Sequence, residues 1–287
     1  MFFDPNITMF LRDLLPWAGT FFQLVTEVGT DLVYISLLLI GYWAFRKREA
    51  IILTLLLVVS FAVNYWAKYI IANPRPPSTY WYGDIEASHY STPSGHAQNP
   101  STFYTWIAAK VKTWWMIGFS AILILVIGIS RVYLGVHFLG DVLIGWGIGI
   151  TLALTCVHFE SQIERFATRF REDYWFLFLF ILGFALTLIS SILPYPPNDN
   201  FGAYGGLIMG IAVSLSVERR FINFDVETTS RKKVIRVVVG LLLVLILMLG
   251  LSPILPSEEI WLRALRYFAV VFVGAVVWPY IFNRVNL

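Results

Sequence analysis

The sequence predicts an all-α, polytopic membrane helix bundle of about nine transmembrane helices, with the N-terminus outside and the C-terminus inside. Hydrophobic residues make up 58% of the 287 residues and charged residues only 14%, against about 25% charged in a soluble domain. The apolar residues come in runs of roughly 20, long enough to cross the hydrocarbon core, and not in alternation. Lys and Arg gather in every second connection between those runs, the bias that marks cytoplasmic loops.

Residues 1–28 are mixed. Phe2, Phe3, Met9, Phe10, Leu14 and Trp17 predict an amphipathic segment lying on the membrane surface, with Arg12 and Asp13 toward water. Nothing in residues 1–15 has the basic and then apolar pattern of a cleavable signal. The first span covers about 29–45 and stops at Arg46-Lys47-Arg48. The second, about 51–71, runs into a Pro-, Tyr- and Ser-rich loop at 72–94 that carries Asp84 and Glu86. A third helix runs from Ser94 to Lys110, a fourth covers 115–135, and a fifth runs from His137 to His158. Between Glu160 and Asp173, Ile163, Phe166 and Phe170 recur at helical spacing among arginines, which predicts an interfacial helix. Spans at about 174–193, 201–217, 234–251 and 261–282 complete the chain. They are separated by the turn-rich segment 194–200, a basic loop and the acidic loop 252–259.

The whole chain, 1–287, is thus expected to be one membrane domain. It comprises an interfacial segment (1–28), a core (29–158) and additional C-terminal helices (159–287). Connections at 46–48, 110–112, 160–171 and 219–233 are basic and read as cytoplasmic. Arg263 and Arg266, at the start of the ninth span, run against that pattern. A net charge of +3 is too small to argue for nucleic acid. Cys156, the single cysteine, has no partner for an intramolecular disulfide and reads as a buried inert thiol.

Three polar clusters stand out because ionisable groups are costly among apolar helices and are usually functional. They are Lys68 with Arg75-Pro76; Pro93-Ser94-Gly95-His96; and Ser130-Arg131 followed by His137 and Asp141. All lie at helix ends assigned to the outer side. His137 and Asp141, four residues apart, share a helix face. A carboxylate bonded to one imidazole nitrogen fixes the tautomer and leaves the other as base or nucleophile. Ser94, Gly95 and His96 open a helix, where free N–H groups and the dipole attract an anion. His96 is placed to donate a proton. Lys68, Arg75 and Arg131 add three cations, and a guanidinium suits bidentate contact with phosphate. Lys68 or Arg131 alone would read as snorkelling to the interface, which does not explain three clusters on one side. His96, His137 and Asp141 are also zinc-ligand types, but the neighbouring cations oppose a metal. His158 reads as a core residue and His89 as solvated.

The spacings Lys68-x6-Arg75-Pro76, Pro93-Ser94-Gly95-His96 and Ser130-Arg131-x5-His137-x3-Asp141 resemble the three-part signature of the type 2 phosphatidic-acid phosphatase superfamily. That superfamily includes lipid phosphate phosphatases, undecaprenyl-diphosphate phosphatases, sphingosine-phosphate phosphatases, glucose-6-phosphatase and the soluble vanadium haloperoxidases. The resemblance implies that His137 is a nucleophile forming a phosphohistidine, oriented by Asp141, and that His96 protonates the leaving oxygen. It implies that Lys68, Arg75, Ser94, the Gly95 N–H and Arg131 hold the phosphate. It implies no cofactor and no metal. The expected substrate is a lipid phosphate or pyrophosphate at the outer leaflet. A lipid phosphotransferase, a glucose-6-phosphatase-like enzyme for a soluble substrate and a non-catalytic anionic-lipid binder are the competing readings. Tyr80, Trp81, Tyr82 and Tyr90 either line a headgroup entrance or form an interfacial belt. The C-terminal helices either widen a lipid groove or form a homodimer interface.

Overall fold

The structure, a computed structural model, describes residues 2–83, 85, 87, 90–192, 201–256 and 258–287. Asp84, Glu86, His89 and the turn at 194–200 lie outside the described residues. Among the described residues, twelve α-helices follow one another: α1 (Asn6–Leu14), α2 (Gly19–Glu27), α3 (Asp31–Ile40), α4 (Lys47–Ile71), α5 (Gly95–Val111), α6 (Trp114–Tyr133), α7 (Leu139–Ala167), α8 (Glu172–Ile192), α9 (Phe201–Val217), α10 (Ser230–Leu251), α11 (Ile260–Phe272) and α12 (Trp278–Arg284). Helix is therefore present at every predicted span. Among the described residues, six helical stretches are long and apolar enough to cross a membrane: α4, α6, α7, α8, α10 and the continuous run of α11 and α12, Ile260–Arg284. The bent pair of α2 and α3, angled by 50°, makes a seventh if counted as one span. The chain is an integral, multi-pass membrane protein.

It divides into two compact units, residues 1–35 with 52–161 and residues 36–51 with 162–287. In the first unit, α5 and α7 approach closely because α7 carries Gly145 and Gly149 on the contact face. An added Cβ at Gly149 would land on Ser101 Oγ and Gln98 O, and one at Gly145 would lie 2.8 Å from Ser94 O. Small residues are the usual means of close helix packing in lipid, where apolar burial between helices gives little drive. A buried polar chain joins α4 to α5. Ser60 Oγ donates to Asn99 Oδ1 (2.8 Å), and Gln98 Nε2 donates to Ser60 O (2.8 Å). Asn64 Nδ2 donates to Gln98 Oε1 (3.0 Å) and Pro93 O (3.3 Å). The outer face of α6 exposes Trp114, Ile117, Phe119 and Ile122, as a lipid-facing surface does.

Two expectations change in this unit. No breaker residue separates His158 from Ala167, and α7 continues through the segment predicted as an interfacial helix. Lys110 Nζ reaches Glu160 Oε2 at 2.8 Å and ties that extension to α5. Arg12 does not face water. It is half-buried, with Nε donating to Tyr133 O (3.0 Å) and Nη2 to Tyr80 O (2.6 Å). The carbonyls at the frayed end of α6 and in the loop need donors, and Arg12 supplies them.

In the second unit, α9 packs through glycines. Added Cβ atoms at Gly205 and Gly206 would strike Thr187 of α8 and Ala264 of α11. Lys47 Nζ meets the fully buried Glu218 at 2.5 Å. Arg263 and Arg266 are buried; Arg266 donates to Ser252 Oγ (3.2 Å) and lies over the Tyr267 ring. They are interior groups of this unit, which explains why they break the loop-charge pattern.

Candidate active site

The site forms where α4 ends, α5 begins, α6 ends and α7 begins. These four helix ends lie in the first unit, and the loops at 72–94 and 134–138 join them. Asp141 is fully buried, in the first turn of α7. Its carboxylate accepts hydrogen bonds from Ser91 Oγ, Thr92 Oγ1 and the Phe138 N–H (2.8 Å). His137 Nδ1 stands 3.2 Å from Asp141 Oδ2, and its Nε2 stands 3.1 Å from Arg75 Nη1. A guanidinium has no acceptor, so Nε2 accepts and Nδ1 carries the proton toward Asp141. The two neighbours thus select one tautomer from opposite sides of the ring, with the Nε2 lone pair facing Arg75.

Arg75 is held by a second bond from Nη1 to Val136 O (2.8 Å). Burial pushes its guanidinium down to about 10, with Asp141 acting in the opposite direction, so it stays charged at neutral pH. Burial also pushes His137 well below the usual imidazole range, and the charges of Arg75, Lys68 and Arg131 push the same way. A neutral imidazole surrounded by cations lies in a field that attracts an anion. Lys68 Nζ donates to Tyr90 O (2.6 Å) and Ser91 O (3.3 Å), which pins the loop segment carrying Ser91 against Asp141. Arg131 is buried at the end of α6, and its Nη1 donates to Thr26 Oγ1 at 2.6 Å.

Ser94 is the N-cap position of α5, with extended backbone, and its N–H donates to Asp141 O (3.1 Å). Its side-chain oxygen is fully buried and makes no hydrogen bond among the described residues. The first N–H groups of a helix have no partner within it. Ser94 Oγ and the amides that open α5 therefore form an empty set of donors. An added Cβ at Gly95 would sit 3.3 Å from Asn64 Oδ1, so that glycine lets the helix start close to α4. His96 follows in the same turn, and a Cβ at Gly29 would lie 3.5 Å from its Cδ2. Gly135 has φ +76, in the left-handed region, and lies against Tyr80 O, so only glycine fits that turn.

The structure brings Arg75, His137, Asp141 and the Ser94 backbone into direct contact. Lys68 and Arg131 act on His137 through their charges. Among the described residues, no three His, Cys, Asp or Glu side chains form a metal-ligand group, and His96, His137 and Asp141 do not make one. Trp81 and Tyr82 both pack on the cluster of Ala18, Phe22, Tyr133, Leu134 and Val136, and Trp81 Nε1 donates to Pro76 O (3.0 Å). Sequence reasoning missed Asn73, Ser91 and Thr92, of which Asn73 Nδ2 donates to Thr92 Oγ1 at 2.9 Å. It also missed Asn64, Gln98, Thr26 and Arg12. An amide inside an apolar span, as at Asn64 and Gln98, was a legible signal; the loop hydroxyls carried none.

A buried imidazole–carboxylate pair ringed by cations at the ends of membrane helices defines a membrane enzyme of phosphoryl chemistry. Residues 49–165 match the PAP2 superfamily, and residues 202–287 match the PAP2 superfamily phosphatase transmembrane extension. The chain is 30% identical to phosphatidylglycerophosphatase B of Bacillus subtilis, over 53% of this chain and 79% of that one. It is 33% identical to undecaprenyl-diphosphatase of Sulfolobus acidocaldarius, over 48% and 68%. It is 27% identical to dolichyldiphosphatase of Saccharomyces cerevisiae, over 71% and 87%. A crystal structure of a transmembrane PAP2-type phosphatidylglycerolphosphate phosphatase from Bacillus subtilis aligns with a TM-score of 0.48 and 26% identity, covering 56% of this chain and 85% of that one. The chain belongs to the PAP2 superfamily, as a membrane phosphatase carrying the superfamily's transmembrane extension.

Proposed function

We propose that this phosphatase hydrolyses a phosphomonoester or pyrophosphate of an amphiphilic lipid at the outer leaflet, without a metal, through a phosphohistidine on His137. The observation that carries this reading is the tautomer lock, with His137 Nδ1–H toward Asp141 and Nε2 toward Arg75. A substrate phosphate draws the Arg75 guanidinium onto its own oxygens and uncovers Nε2. The Nε2 lone pair forms the N–P bond as the P–O bond to the leaving group breaks. His96 gives its proton to that leaving oxygen. Water then attacks phosphorus, His96 takes the water proton, the N–P bond breaks and His137 is regenerated. Arg75, Arg131, Lys68, Ser94 and the amides of Gly95 and His96 hold the equatorial oxygens, where charge is greatest in the transition state. Asp141 stabilises the positive charge on the phosphorylated ring.

Lipid as substrate class is supported by the relatives' names, which specify phosphatidylglycerophosphate, undecaprenyl diphosphate and dolichyl diphosphate. The chain is read as one membrane domain of about nine spans with an outside N-terminus. The far end of α5 carries Lys110, which by the positive-inside rule supports a non-cytoplasmic site at the other end of that helix. The test is phosphate release by the detergent-solubilised full chain, with excess chelator, from prenyl diphosphate, phosphatidate, phosphatidylglycerophosphate, sphingosine phosphate and sugar phosphate. Release from at least one lipid, lost in His137→Ala, is expected. No release from any lipid, or unchanged activity in His137→Ala, overturns the reading.

A further inference from the structure

The N-terminal segment grips the end of α6 and the start of α7. Thr8 Oγ1 donates to Val132 O (2.8 Å), Arg12 to Tyr133 O, Tyr133 OH to Leu15 O (2.9 Å) and Gly140 N–H to Phe2 O (2.8 Å). The Phe22 ring lies 4.6 Å from that of Tyr133. One contact differs in kind from these. Thr26, buried in the last turn of α2, accepts from the Arg131 guanidinium at 2.6 Å. Among the described residues this is Arg131's one hydrogen bond, and its Nε has none. A buried guanidinium with a single anchor takes its direction from that anchor. Three residues further on, Gly29 flanks His96, so the break between α2 and α3 borders two groups of the site. None of the three clusters contains a residue from this segment.

We propose that Thr26 is a positioning residue of the phosphate site: its hydroxyl holds the Arg131 guanidinium in the orientation that meets a phosphate oxygen. The N-terminal segment is then part of the catalytic apparatus and more than an anchor. This rests on the phosphatase reading above, through the role that reading gives Arg131. Valine matches threonine in shape and removes the oxygen, and serine restores it.

The test measures orthovanadate binding by calorimetry and kcat/KM for the best lipid substrate, on the purified full chain. Thr26→Val should weaken vanadate binding and lower kcat/KM by about tenfold to a hundredfold, the range for losing a hydrogen bond to a charged group. Thr26→Ser should restore most of both. In an Arg131→Ala background, Thr26→Val should add nothing, because the two act as one. Wild-type vanadate affinity in Thr26→Val, or a loss that simply adds to that of Arg131→Ala, overturns the proposal. So does a lowered melting temperature with unchanged specific activity of the folded protein, which marks a purely structural role. Failure of the phosphatase reading shows separately, as turnover that survives His137→Ala. The calorimetric arm reports on Thr26 independently of turnover.

Discussion

Replacing Asp141 by Asn removes one charge from the centre of the site while keeping the shape. The carboxylate oxygen lies 3.2 Å from His137 Nδ1. In the proposed phosphohistidine the ring is cationic. At an effective dielectric near 20, a unit charge pair at that distance interacts by about 5 kcal/mol. The amide retains part of this. Its oxygen can still accept from Nδ1–H and from Phe138 N–H, while its NH2 faces Thr92 Oγ1. That hydroxyl already accepts from Asn73 and can turn to accept again. The surviving bond offsets about 1–3 kcal/mol, so about 2–4 kcal/mol of transition-state stabilisation is lost. At one decade per 1.36 kcal/mol, kcat should fall by about 30- to 1,000-fold. KM should move little, because the substrate's oxygens touch other residues. The assay is steady-state phosphate release in detergent, with melting temperature measured in parallel. A variant that folds like wild type and keeps kcat within about threefold would refute the claim that Asp141 stabilises the charged ring.

Further tests follow from the same geometry. Burial first, and then the three cations, hold His137 well below the ordinary 6.5, so the reactive neutral ring persists at a pH where a free imidazole is protonated. The acid limb of kcat/KM should therefore fall below pH 6.5, and Arg75→Gln, by removing one of those cations, should move it to higher pH; an unmoved limb contradicts the assignment. Gly149→Ala places a Cβ against Ser101 and Gln98 and should cost about 1–3 kcal/mol by overpacking. Its melting temperature should drop by several degrees, while Gly147→Ala, with nothing within 4 Å of the added atom, leaves it unchanged. Ser91→Ala removes one donor to Asp141 and should lower kcat about tenfold with little change in KM, read in the same phosphate-release assay.

The parts of this site that are legible in the sequence are those that are costly in lipid. Lys68, Arg131, His137 and Asp141 stand out because a charge among apolar helices needs a reason. The helices themselves are legible for the related reason that lipid forces the backbone to satisfy itself. Ser91, Thr92 and Asn73 sit in a loop, where hydroxyls and amides are ordinary, and the pairing of Ser91 and Thr92 with Asp141 spans about fifty residues of chain. Local pattern carries no trace of that. Arg12 was misjudged because helical periodicity ranks faces only by polarity, and a guanidinium satisfying two carbonyls looks the same on a helical wheel as one in water. The predicted break after His158 failed because charge alone does not end a helix; Glu160 found Lys110. The pair Gly145 and Gly149, at the small-xxx-small spacing, was readable and marks the α5–α7 contact.

The central claim is that phosphoryl transfer passes through His137, and the stereochemical course at phosphorus tests it most directly. A lipid thiophosphate made chiral with oxygen isotopes and hydrolysed in labelled water reports the number of in-line displacements. Transfer to His137 Nε2 followed by attack of water is two inversions, so the account predicts overall retention of configuration. Inversion would mean that water attacks the lipid phosphate directly, with His137 as its base, and would contradict the phosphohistidine.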